Sequence, residues 1–169
     1  MSSGVQSSYP QNPAVAYQGM IAESFFPRAV ESKYTEGVAG IGMGVPVEAG
    51  STYDQAVVLA TPANFYGVSV KAEDMVPDSS GDVFYAEGEM LPVMQSGRIW
   101  VVAGGAITVA EVLAGSEVIP QADGKFDVGA NAGAKIRAYV VKSSSPSEDV
   151  ADGDLIMVQL SGPQTDTTA

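Results

Sequence analysis

The sequence contains no cysteine and no histidine in its 169 residues. Without cysteine there is no disulfide, no thiolate nucleophile, no iron–sulfur cluster and no zinc–thiolate site. Without histidine there is no Ser-His-Asp triad, no imidazole base and no histidine-ligated metal, which also removes cupin-like metal chemistry. Basic residues are scarce too. Eight Lys and Arg face 20 Asp and Glu, giving a net charge of -12, and they are scattered from Arg28 to Lys142. Phosphate recognition needs clustered cations, so nucleic acid is not expected as a partner. Long apolar runs are also missing. The longest, Ile99 to Ala110, is interrupted by Gly104-Gly105 and is about half a membrane span, so no membrane partner is expected. It reads as two strands joined at the glycine pair. The opening MSSGVQSSYPQNP has no basic n-region and no apolar h-region. It is not a signal peptide, and synthesis in the cytoplasm is expected.

What remains is an ordinary globular balance, with 46% hydrophobic and 17% charged residues. A chain of this length is one domain, large enough to bury roughly two-thirds of the surface its unfolded form exposes. Residues 1 to 13 are polar, contain Pro10 and Pro13, and lack periodicity. They are expected to be a flexible N-terminal arm. Residues 161 to 169, opening with Ser161 and Gly162-Pro163, read as a flexible tail. Between them, residues 14 to 160 form the expected domain.

That domain breaks into short apolar runs separated by turn residues. Val38 to Val47 places Ala39, Ile41, Met43, Val45 and Val47 on one face and Gly40, Gly42, Gly44 and Pro46 on the other. This reads as a strand with a nearly bare face that another backbone could approach closely. Its G-x-G-x-G spacing is not a phosphate loop, since neither G-x-G-x-x-G nor a following Lys-Ser/Thr is present. Further strands are expected at Gln55 to Ala60, Phe65 to Lys71, Asp82 to Ala86, Glu89 to Gln95, Arg98 to Ala103, Ser116 to Ile119, Lys125 to Val128, Lys135 to Lys142 and Asp154 to Leu160. Pro92 demotes Glu89 to Gln95 to an edge or a bulge. Arg98 to Ala103 holds the sole tryptophan and reads as central. Ile107 to Leu113 has helical spacing, but Thr108, Val109 and Val112 favour a strand. Roughly ten short strands at this turn spacing predict an all-β sandwich or barrel.

Few constellations could carry chemistry. Carboxylate pairs at Glu73/Asp74, Glu87/Glu89, Glu148/Asp149 and Asp152/Asp154 read as solvated surface or loop acids rather than a glycosidase pair. Gly88 most simply makes a hairpin turn. Asp123-Gly124 and Asp152-Gly153 are hairpin signals, and Lys125 stands where a calcium loop would need a ligand. Lys135 and Lys142 read as strand-end charges, not as partners of a serine nucleophile. No catalytic, cofactor-binding or metal site is expected. The arm, with Tyr9, Pro10, Pro13 and Tyr17, is a candidate contact with a protein partner, because aromatics are enriched at interfaces.

The run Pro13 to Ser24, PAVAYQGMIAES, resembles the opening of the structural cement, or capsid decoration, proteins of tailed phages. Pro13, Tyr17, Gly19, Met20, Ala22, Glu23 and Ser24 carry that resemblance, and the Gly- and Val-rich stretch Gly37 to Val47 extends it in style. The resemblance implies a jelly-roll-like β-sandwich of about 8–10 short strands. It also implies a homodimer on the outer capsid surface that bridges major capsid protein subunits, with no cofactor. The alternatives left open are another virion or surface module, such as a fibre or carbohydrate-binding domain, and an enzyme on a β scaffold.

Overall fold

A computed structural model describes residues 16–22, 27–72, 84–134, 136–145 and 147–162. The described residues form eleven strands and one short α-helix. In chain order the strands are β1 (Ala29–Thr35), β2 (Ile41–Gly42), β3 (Pro46–Ala49), β4 (Gln55–Val58), β5 (Phe65–Ser69), β6 (Phe84–Tyr85) and β7 (Met90–Val102). After them come helix α1 (Val109–Ala114), β8 (Glu117–Pro120), β9 (Phe126–Val128), β10 (Ala138–Ser143) and β11 (Leu155–Leu160). The all-β expectation holds.

Strand β7, 13 residues long, organises everything else. Its first half lies between β1 and β5. Its second half pairs with β11, as in Met157 opposite Trp100. Strand β1 also pairs in parallel with β4, which pairs with β3, which pairs with β5. The path β1-β4-β3-β5-β7-β1 therefore closes into a ring. Beyond it, β7 leads through β11, β10 and β8 to β9. A parallel bridge between Ala103 and Phe126 returns to the end of β7. Of the sandwich or barrel expected, the described strands give a barrel-like sheet that closes on itself through the first ring. Strands β2 and β6 form a separate small sheet.

The larger core cluster joins Phe65, Val68 and Met94 to Ile99, Val101, Phe126, Ile136, Val140, Ile156 and Val158. Phe65 and Phe126 meet edge to face, with ring centroids 6.0 Å apart, the geometry aromatic quadrupoles prefer. The smaller cluster takes Val47, Ala56, Leu91 and Val93 from the first ring, and Ile41 and Tyr85 from the small sheet.

Several expected elements are corrected. The run Val38 to Val47 is not one strand. Gly40 and Gly44 take positive φ, 70° and 65°, and split it into β2 and β3, which belong to different sheets. Ile107 to Leu113 is not a strand, because Thr108 caps helix α1. The Thr108 hydroxyl accepts from Glu111 N–H, while the Glu111 carboxylate accepts from Thr108 N–H. That capping box outweighs the β-branched residues. The glycine pair at 104 and 105 therefore joins a strand to a helix. The turns expected at Gly88, Gly124 and Gly153 are present, each glycine with positive φ.

Pro92 does not lie on an edge. It sits inside β7 opposite Ser32 on one side, and its carbonyl accepts from Val70 N–H at 2.8 Å on the other. In an antiparallel pair of this kind both residues exchange N–H···O bonds, but proline has no N–H to return. The buried Tyr85 hydroxyl takes its place. It donates to the Val70 carbonyl at 2.5 Å and accepts from Ala72 N–H at 2.9 Å.

Strand β1 was not anticipated, because its polarity is inverted. Glu31 and Lys33 stand opposite Val93 and Leu91 of the smaller core, while Val30 and Tyr34 point outward. Lys33 is only 2% exposed. Its ammonium donates to the Tyr53 carbonyl, lies 3.4 Å from Glu31 Oε1, and sits 4.2 Å and 4.8 Å from the Tyr53 and Tyr66 ring centroids. Glu31 in turn accepts from the hydroxyls of Tyr66 and Tyr53 and from Gln95. The Tyr66 hydrogen bond, helped by Lys33, holds the Glu31 carboxyl below its usual range against the opposing effect of burial. A lysine survives inside the ring because its charge is paired and its donors are used.

Candidate interaction surface

The stretch that carries the family resemblance is described from Ala16 to Ala22. It runs along the edge of β7 that β11 leaves free. Gly19 N–H donates to Trp100 O at 2.8 Å, Trp100 N–H to Met20 O at 3.0 Å, and Ala22 N–H to Arg98 O at 2.9 Å. Ala16, Met20 and Ala22 pack with Trp100, Met157, Val141 and Leu155 in a third apolar cluster. The segment thus completes the sheet locally and covers the only tryptophan.

Its course depends on glycine. A Cβ on Gly44 would lie 2.6 Å from Gly19 N, and one on Gly19 would lie 2.9 Å from Gly44 N. Both glycines also have positive φ. The bare face anticipated around Gly40 to Gly44 therefore does receive another backbone, that of Gln18-Gly19.

Of the candidate contact residues, Tyr17 lies among the described residues, and Tyr9, Pro10 and Pro13 lie outside them. Tyr17 is 47% exposed. The Lys71 ammonium sits 4.2 Å from its ring centroid, a cation–π contact that orients the ring. The structure does not bring the four candidates together into a described site.

Several acidic residues accept from backbone N–H groups at turns. Glu89 accepts from Ala86 N–H across the Gly88 turn, and Asp154 accepts from Ala151 N–H. Asp152 pairs with Lys125 at 2.8 Å, Asp149 accepts from Val109 N–H at the start of α1, and Asp123 accepts from Lys125 N–H. The Asp152 hydrogen bond pushes the Lys125 ammonium up. Glu36 accepts from the Ser51 N–H and hydroxyl, which holds its carboxyl below the usual range. Glu73 and Asp74 lie outside the described residues. A groove between α1 and β10 is lined by Arg98, Val112, Leu113, Tyr139 and Gln159 among others, with no carboxylate. Among the described residues no three Asp or Glu side chains gather into a metal-binding group. What the geometry offers is surface for binding: an exposed tyrosine, a strap on a β-strand edge, and turns fixed by carboxylates.

The model of the family described as structural cement protein (E217 gp24/Pam3 gp6) matches residues 5–161. The chain belongs to this family. A capsid-associated structural role in a phage comes with that membership. Among solved structures, a chain of the capsid of Myoviridae phage XM1 has a TM-score of 0.58 and 12% identity, with 92% of this chain and 96% of that one covered. At that identity the likeness concerns the fold alone. No curated protein matches the chain. The strap from Ala16 to Ala22 falls inside the matched range. It gives the resemblance at Gly19, Met20 and Ala22 a structural reason: these residues seat the strap on Trp100 and Gly44.

Proposed function

We propose that the protein is a decoration protein of the phage head. It docks on the outer surface of the assembled shell, bridges neighbouring major capsid protein subunits and stabilises them. The observation that carries this reading is the family match across residues 5–161. Shell cement needs binding surface and no turnover. A net charge of -12 opposes premature self-association before docking. Residues 1 to 13 act as an arm that orders on the shell, with Tyr9, Pro10, Pro13 and Tyr17 as contacts, followed by the domain 14 to 160 and the tail 161 to 169. The protein docks as a homodimer. Many copies convert modest contacts into large avidity.

The test is co-sedimentation with isolated capsids and the temperature at which they release DNA, with and without added protein. Binding together with a raised release temperature supports the proposal, and no association with capsids sinks it. Deleting residues 1 to 12 is expected to preserve far-UV circular dichroism and to weaken capsid binding.

A further inference from the structure

Among the described residues nine large apolar side chains are exposed, and four of them gather in one place. Tyr34, Val38, Phe84 and Met90 are 49%, 91%, 42% and 61% exposed, and all four lie at one end of the first ring. Tyr34 stands opposite Met90 across β1 and β7. Thr35 N–H donates to Glu89 O and Gly88 N–H to Thr35 O, which ties the turn before β7 to the end of β1. The loop that carries Val38 leaves from that end, and Phe84 pairs with Gly42 just beyond it. A Cβ on Gly40 would lie 2.7 Å from the Phe84 ring, so loop and ring are in contact.

The segments that carry Val38, Phe84 and Met90 bear charge of one sign. The two segments, residues 36–40 and 84–90, carry Glu36, Glu87 and Glu89 and no Lys or Arg. The nearby Lys33 is buried. Arg28 just precedes β1, six residues before Tyr34 and about 20 Å away at the rise of a strand. Glu36 is fixed by Ser51 and Glu89 by Ala86 N–H, so these charges are held in position before any partner arrives.

Taking the cement reading as its basis, we propose that this end of the first ring is the surface that seats on the capsid. Its partner is a protein face that is apolar at the centre and rimmed by Lys and Arg. Clustered exposed apolar side chains with a polar rim mark protein contacts, and opposite charge at the rim gives register and speed of encounter. A second copy of this chain does not fit here. A two-fold contact would set three glutamates of one copy against the same three of the other, and like charges oppose association. This surface is therefore distinct from any dimer contact.

The full-length protein, its V38S/M90S variant and its E87K variant would each be titrated onto isolated capsids at low and high salt. Val38, Met90 and Glu87 are exposed, so circular dichroism and melting temperature stay as in the parent. The expected result is binding about tenfold weaker for V38S/M90S, the scale of losing central contacts. E87K is expected to bind more weakly than the parent at low salt, and the difference should shrink at high salt. Parental binding by V38S/M90S, alongside a parent that binds capsids, would overturn this surface and leave the cement reading intact. A parent that binds no capsid would overturn the cement reading and this surface with it. A V38S/M90S variant that loses self-association in sedimentation equilibrium but keeps full capsid affinity would overturn the assignment in favour of a contact between copies.

Discussion

Tyr85→Phe removes one oxygen, yet it should cost far more than a surface change. The Tyr85 hydroxyl is the donor that the Val70 carbonyl lacks because Pro92 stands opposite, and it also accepts from Ala72 N–H. Tyr85 is buried. Phenylalanine fills the same space, so no cavity forms and the loss isolates the hydrogen bonds. Leaving a buried acceptor unsatisfied costs about 1–3 kcal/mol. For a domain of this size, about 2 kcal/mol corresponds to a fall in melting temperature of roughly 4–8 °C. Substituting Pro92→Val restores an N–H at the point where the register calls for one. In the Y85F background it should recover about 1 kcal/mol, whereas in the parent its new donor meets a carbonyl already taken. Urea unfolding of the parent, both single variants and the double variant gives the coupling energy directly. A Y85F cost below about 0.5 kcal/mol, or the same Pro92→Val effect in both backgrounds, would refute the substitution of a hydroxyl for the missing amide.

Three further outcomes are expected. Gly44→Ala forces a Cβ to within 2.6 Å of Gly19 N at a positive φ. It should lift the Ala16–Ala22 strap off Trp100, read as a red shift and stronger acrylamide quenching of the single tryptophan, and unchanged emission would count against the strap. Thr108→Ala breaks the capping box of α1 and should cost about 1 kcal/mol in urea unfolding, and no measurable change would mean that α1 does not depend on its cap. Acid should destabilise the chain progressively. The Tyr66 hydroxyl bonded to Glu31, Ser51 to Glu36, Thr52 to Asp54 and Thr108 to Glu111 lower these carboxyls in the folded state. The unfolded chain then binds more protons in acid, so the stabilisation is complete above the ordinary carboxylate range, near pH 4–5, and is lost as pH falls through the lower folded values. Melting temperature followed from pH 7 to about 2 should fall through that window, and a flat profile would refute the assignment.

Where strands carry apolar residues inward, their positions could be read directly. Trp100 and its neighbours in Arg98 to Ala103, and Ile156 and Val158 in Asp154 to Leu160, alternate as the pleat requires and lie in strands. Strand β1 escaped because Glu31, Lys33 and Thr35 take the inward positions, so period-2 reasoning applied to AVESKYT points the wrong way. No local signal announces that Tyr53, Tyr66 and Gln95, 20 to 64 residues distant from β1, will satisfy those groups. Helix α1 did leave a local signal, since Thr108 and Glu111 stand three residues apart immediately before an apolar stretch. The contact candidates were legible only as composition, and of the four only Tyr17 has a described place.

The sequence by itself excluded cysteine and histidine chemistry and indicated the all-β class, because residue inventory and short-range alternation are local properties. It also settled the family, through the match that runs from residue 5 to residue 161. Only the tertiary structure decided that the sheet closes on itself through β1 and β7, that Tyr85 completes a strand pair for Pro92, and that Gly19 meets Gly44. It alone gathered Tyr34, Val38, Phe84 and Met90 at one end of the first ring. Each of these joins residues far apart in the chain, and their meeting depends on strand register, which no local pattern specifies.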